Sequence, residues 1–217
     1  MSETMEDKTR QQSFAERYAT GKIPWDDTLP PPELMALANE LLPGRALDLG
    51  SGYGRTSIFL AQYGWQVDAV EFVPQAVVES RHRAVEAGVG QKTAFHNRDV
   101  TDLSFLKAQF DLAVDIGCMH SLKMPALIRY HAHLKRLLRV GATYLLFAHL
   151  TAPEDEHEEP VAGDDVSDGE EIARWIKEPE LRALFADGFL LSQVDHGITQ
   201  VPDRPPWPSA WFYFQRR

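Results

Sequence analysis

An apolar run, Arg45-Ala46-Leu47-Asp48-Leu49, passes through glycines at alternating positions, Gly50, Gly52 and Gly54, straight into the amphipathic stretch Arg55–Tyr63. This strand–glycine loop–helix unit constrains the chain more than any other segment. Glycine permits positive φ and lets a ligand approach the backbone without meeting a Cβ. The helix start beyond it offers free amides and a positive dipole end suited to an anionic group. A loop of this kind, at the carboxyl end of a central strand, is where open α/β sheets take their ligands. The plain alternative is a tight strand-to-helix turn with no ligand.

The rest of the chain repeats the alternation. Arg45–Leu49, Gln66–Glu71, Lys92–His96, Phe110–Asp115 and Ala142–Leu150 read as strands. Arg55–Tyr63, Pro74–Ala87 and Pro125–Leu138 read as helices between them, and Pro32–Leu42 as a helix before the first strand. Strands alternating with helices argue for a parallel sheet covered on both faces. A later helix, Glu170–Ala186, is expected to break at Pro179. The last two strand segments, Phe189–Gly197 and Ala210–Arg216, are joined by a proline-rich stretch with no room for a helix, so they should pair antiparallel. The fold class is therefore α/β: an open, doubly wound, mostly parallel sheet with an antiparallel C-terminal hairpin. Residues 1–30 read as an N-terminal arm with a loose helix around Phe14–Tyr18, and residues 31–217 as one domain.

Charge excludes one class of partner. The formal net charge is −10, and the ten carboxylates between Glu154 and Glu171, without a Lys or Arg among them, carry all of it. The remaining 22 acidic and 22 basic side chains balance. No basic stripe is left to neutralise phosphates, so a nucleic-acid substrate is not expected. The segment 151–171 could serve as a substrate lid; a solvated loop is the simpler reading. No apolar run approaches the ~20 residues of a membrane span. The first residues lack the apolar core of a secretory signal, and the single cysteine, Cys118, permits no intrachain disulfide. A cytoplasmic monomer or homodimer is the expectation.

Acidic residues end the next two strands. Glu71 lies 21 residues after Gly50, where a carboxylate can accept hydrogen bonds from both hydroxyls of a ribose. Asp99 follows the third strand, where it can accept from an exocyclic adenine amine. A dinucleotide-binding GxGxxG loop fits poorly, because Gly54 comes one residue early and Arg55 fills the position of the third glycine.

With its DxGxGxG motif at Asp48–Gly54, a ribose acid at Glu71 and an adenine-side acid at Asp99, the sequence resembles class I S-adenosylmethionine-dependent methyltransferases. FDLAVDIGCMHSL at 110–122 looks like that family's fourth strand and the loop beside the methyl donor. Arg139-Val140-Gly141 stands where the family has its turn before the fifth strand. The resemblance implies a Rossmann-like sheet of seven strands ordered 3-2-1-4-5-7-6, the last antiparallel. It implies S-adenosylmethionine as cofactor and S-adenosylhomocysteine as product. It places Trp25, Asp48, Gly50, Ser51, Gly52, Tyr53, Gly54, Glu71, Phe72, Asp99, Val100 and Asp115 around the cofactor. Ile23-Pro24-Trp25-Asp26 with Gly54-Arg55-Thr56-Ser57 is similar to the tellurite-resistance, thiol and thiopurine methyltransferase branch, in which the arm folds over the cofactor. Ser51 and Val140 depart from the residues common there, Cys and Pro.

Methyl transfer from a sulfonium needs the nucleophile and the methyl carbon held close and in line, with water excluded. A thiolate requires no base; an alcohol, phenol or protonated amine benefits from one. His120 is the candidate base, His149 a second candidate, and a pocket-lining histidine the simpler reading of either. Cys118 reads as a spectator thiol. His131 and His133 stand two residues apart on a helix and cannot chelate together, so no metal is indicated. The aromatic tail Trp207–Phe212 can wall an apolar acceptor pocket or simply be core. The expected substrate is a small molecule, with a thiol or chalcogen acceptor slightly favoured over a phenol or amine. A noncatalytic cofactor-binding domain is the alternative, and an oxidoreductase a weaker third.

Overall fold

A computed structural model describes residues 5–21, 23–107, 109–151, 176–200 and 205–217. The chain divides into two compact units, Met1–Leu103 and Ser104–Arg217. The seven strands follow the order β3-β2-β1-β4-β5-β7-β6, the order the resemblance implied.

The first unit holds helix α1 (Met5–Thr20), helix α2 (Pro32–Glu40), strand β1 (Arg45–Leu49), helix α3 (Arg55–Gln62), strand β2 (Gln66–Glu71), helix α4 (Pro74–Glu86) and strand β3 (Thr93–Asn97). Proline opens α2 and α4, where its fixed φ suits the first turn and its missing N–H costs nothing. The three strands are parallel, with Ala46 opposite Val67 and Ala69 opposite Phe95. Ala46, Leu47 and Leu49 are fully buried, as expected for a parallel strand covered on both faces.

The second unit holds strand β4 (Phe110–Ile116), a 3-10 turn (Met119–Ser121), helix α5 (Met124–Leu137), strand β5 (Leu138–His149), helix α6 (Glu178–Ala186), strand β6 (Phe189–Thr199) and strand β7 (Trp207–Arg216). β4 and β5 are parallel; β7 runs antiparallel to both β5 and β6. The hairpin is longer than the segments read from the sequence, because backbone pairing continues to Ile198 opposite Pro208 and Thr199 opposite Trp207. Tyr144, Phe185, Phe189, Phe212 and Phe214 form the buried aromatic core of this unit. Fully burying each such ring contributes on the order of 2–3 kcal/mol.

Two expectations change. Arg139-Val140-Gly141 is not a turn before β5 but part of the strand, which begins at Leu138; Gly141 at φ 83 and a register break between Phe110 and Leu112 absorb the irregularity. Pro179 opens α6 instead of breaking a longer helix, since it sits in the first turn after Lys177. The acidic segment 154–171 lies outside the described residues, as does the start of the helix expected from Glu170. Among the described residues no helix is long and apolar enough to cross a membrane.

Candidate functional site

Gly50, Gly52 and Gly54 all adopt positive φ (73°, 55° and 83°), so the loop after β1 takes a backbone path that side-chain-bearing residues rarely follow. Gly54 is also sterically fixed: a Cβ there would stand 2.9 Å from the Phe95 ring and 3.1 Å from Ser80 Cβ. At Gly52 a Cβ would stand 3.1 Å from the Tyr18 hydroxyl oxygen. The first restraint is packing; the second shows that Tyr18 lies directly over the loop.

Glu71, at the end of β2, faces this loop. Its carboxylate accepts the Gly52 N–H at 3.0 Å and the Val73 N–H at 2.8 Å, and it is 5% exposed. Burial pushes its carboxyl up to about 7 against the lowering effect of those amides. Asp48 is turned the other way. Its carboxylate accepts the Ser57 hydroxyl at 2.5 Å and pins the loop to α3, with burial pushing it up to about 6. The role the resemblance gave it at the cofactor is thereby indirect: it shapes the loop. Ser51 Oγ is buried without a hydrogen-bond partner.

The arm covers this region within the first unit. The Tyr18 ring packs on Tyr53 at 5.0 Å and on Trp25 at 6.0 Å, and Trp25 Nε1 donates to the Tyr18 hydroxyl. Phe14 packs edge-on against Phe72, and Gln11 donates to the Phe72 carbonyl. Arg83 from α4 holds Asp26 through both nitrogens, and Arg55 from α3 holds Asp27 at 3.0 Å, fixing the segment that carries Trp25. Burial beside the Glu71 carboxylate pushes the Tyr18 phenol well up, so it stays protonated. Asp99 pairs with Arg10 of α1 and accepts the Thr101 N–H, while Val100 is buried. Neither Tyr18 nor Arg10 was singled out in the sequence; the i, i+4 spacing of Phe14 and Tyr18 was the available signal.

In the second unit Asp115 is wholly buried. It accepts the Cys118 and Met119 N–H groups at 2.8 and 3.0 Å and the Tyr130 hydroxyl at 2.7 Å; the Tyr130 and Tyr144 hydroxyls lie 2.9 Å apart. Its carboxylate is committed to shaping the loop after β4. That loop presents His120, whose ring stacks on His149 at 4.6 Å and 16°. Burial, with His149 beside it, pushes the His120 imidazole down to about 3; burial also lowers His149. Both are neutral at pH 7. His131 and His133 do not converge: His131 packs on Phe185 and Phe189, and His133 faces Arg136.

Residues 46–141 match the family model described as a methyltransferase domain. This stretch is similar to a methyltransferase domain, and the strand order is that of the class I S-adenosylmethionine-dependent methyltransferase fold. Among its relatives is the 2-heptyl-1-hydroxyquinolin-4(1H)-one methyltransferase of Mycobacteroides abscessus, 24% identical over 67% of this chain. The chain spans 65% of that relative's length. Among solved structures, the Burkholderia thailandensis 1,6-didemethyltoxoflavin-N1-methyltransferase is similar over 100% of this chain and 91% of its own, at TM-score 0.72 and 21% identity. TehB from Haemophilus influenzae is similar over 94% of this chain and 67% of its own, at TM-score 0.71 and 15% identity. The former was solved with S-adenosylhomocysteine bound. The residues of the first unit suit S-adenosylmethionine: a buried acceptor in Glu71, the Tyr18 hydroxyl set over Gly52, and an unsatisfied hydroxyl at Ser51.

Proposed function

We propose that this protein transfers a methyl group from S-adenosylmethionine to a small-molecule acceptor. The observation that carries the reading is the buried Glu71 carboxylate set against the Gly52 amide, at the mouth of a loop that only glycines can form. Glu71 accepts the ribose hydroxyls, Asp99 accepts the adenine amine, and Gly50, Ser51 and Gly52 line the donor. Tyr53 and Phe72 pack against it, with the Val100 backbone at the adenine side. Residues 1–30 act as a lid, with Trp25 and Tyr18 over the glycine loop. The bound donor supplies an activated methyl group. The chain's own residues bind it, exclude water and hold the acceptor in line.

A thiol or chalcogen acceptor remains the favoured finer reading. It rests on the Trp25 arm and on the likeness to TehB. The curated relative carries an N-hydroxyquinolinone in its name and the Burkholderia enzyme methylates nitrogen, so the acceptor atom is the open variable. The test is calorimetric titration with S-adenosylhomocysteine and, separately, with NAD, followed by turnover against thiols, phenols and amines. Tight S-adenosylhomocysteine binding with turnover of one panel member supports the proposal. Binding without turnover favours a noncatalytic cofactor-binding protein, and NAD binding alone sinks both.

A further inference from the structure

In the second unit, four aromatic side chains share one face of the sheet. Antiparallel pairing sets Phe147 opposite Trp211 and His149 opposite Ser209, and the two-residue period puts Trp207 on the same side. The rings touch: Phe147 and Trp211 at 4.9 Å, His149 and Trp207 at 5.2 Å, Phe147 and His149 at 5.4 Å. His120 closes the row by stacking on His149. Gly117, at φ 85, lets it lie there, since a Cβ would stand 3.3 Å from His120 Cε1. Core aromatics on the opposite face, such as Phe212 and Phe214, are fully buried, whereas Phe147, His149, Trp207 and His120 are only partly covered. They form a wall, and within it His120 Nδ1 is shut from solvent without a hydrogen-bond partner.

We propose that this wall is the acceptor subsite and that it selects a flat, uncharged aromatic acceptor whose O–H, N–H or S–H group donates to the His120 imidazole. The inference rests on the methyl-transfer reading and names its acceptor class. A flat ring continues the stack that His120 and His149 begin. The same surroundings that hold both imidazoles neutral disfavour a cationic acceptor. In transfer, the acceptor's lone pair forms the new bond to the methyl carbon. The methyl–sulfur bond breaks with its electrons going to sulfur, and the acceptor's proton passes to the imidazole. For an O–H or S–H acceptor a weakly basic imidazole suffices, because the methylated acceptor still carrying its proton is a strong acid.

The test is binding to the S-adenosylhomocysteine complex of the full chain. The probes are 2-naphthol, 2-methoxynaphthalene, which lacks the donor, and 2-(aminomethyl)naphthalene, which is a cation. Wild type should prefer 2-naphthol over 2-methoxynaphthalene by about tenfold, the scale of one hydrogen bond in a site closed to water, and should bind the cation most weakly. His120→Phe keeps the stack and removes the nitrogen, so the preference should fall to within about twofold while S-adenosylhomocysteine affinity is unchanged. Trp207→Leu should instead weaken both neutral probes and leave their ratio intact. A preference that survives His120→Phe, a ratio that changes in Trp207→Leu, or a cation bound as tightly as the naphthol overturns the proposal. If no probe binds while S-adenosylhomocysteine does, the subsite falls and the methyl-transfer reading stands. If S-adenosylhomocysteine itself does not bind, the broader reading falls.

Discussion

Cofactor affinity should tighten as pH rises through neutrality, and Glu71 should be the cause. Its carboxyl is pushed up to about 7 by burial, so near neutral pH the free protein is a mixture of protonated and ionised forms. Each oxygen already accepts one backbone N–H, and only the ionised group keeps further lone pairs for both ribose hydroxyls. If the protonated form does not bind, apparent Kd scales with one plus the ratio of protonated to ionised Glu71. That factor is about 11 at pH ~6 and about 1.1 at pH ~8, a tenfold tightening across the window. The sign for the free fold is opposite. A carboxyl raised above its ordinary 4.5 contributes stability below that pH, and the contribution is lost as pH climbs through about 7. The assay is calorimetry with 5′-methylthioadenosine, which keeps both ribose hydroxyls and has no titrating amine. Asp48, raised to about 6 and itself one cause of the Glu71 shift, also titrates in the window; Asp48→Asn should keep the slope and move it to lower pH. Glu71→Gln should remove the slope and bind about tenfold or more weakly at pH ~8. A flat wild-type profile, or the same slope in Glu71→Gln, would refute the reasoning.

Three further outcomes follow from the packing. Gly54→Ala combines a positive φ with a Cβ driven into Phe95 and Ser80, and should cost about 2–4 kcal/mol in chemical denaturation; a change within ~0.5 kcal/mol would show that the loop relaxes freely. Asp115→Ala leaves the Cys118 and Met119 amides and the Tyr130 hydroxyl short of an acceptor, and should cost about 3 kcal/mol or more, against about 1–2 kcal/mol for Tyr130→Phe; equal small losses in thermal melts would contradict the network. Deleting residues 1–30 should leave the circular-dichroism signature of the sheet while S-adenosylhomocysteine affinity drops at least tenfold; full affinity would reduce Trp25 and Tyr18 to packing.

The amino-acid pattern alone determined the alternation of strands and helices, the glycine loop and the acid at the end of β2, because each follows from local chemistry; the strand order was implied by the family resemblance. Period and length separate strand from helix, positive φ demands glycine, and a strand's last residue lands at its carboxyl end whatever surrounds it. Tertiary structure decided where the carboxylates point. Asp48 and Asp115 sit at strand positions that promise a ligand, yet both are consumed inside the fold, Asp48 by Ser57 and Asp115 by the Cys118 and Met119 amides and Tyr130. Those partners come from nine residues on, from the turn that follows, and from a helix 15 residues away, and spacing does not reveal which will close. The same holds for the stack of His120 on His149, the Arg10–Asp99 pair and the Tyr18 hydroxyl over Gly52. Each depends on two segments meeting in space, and a buried polar group is satisfied by whatever the packing brings within reach.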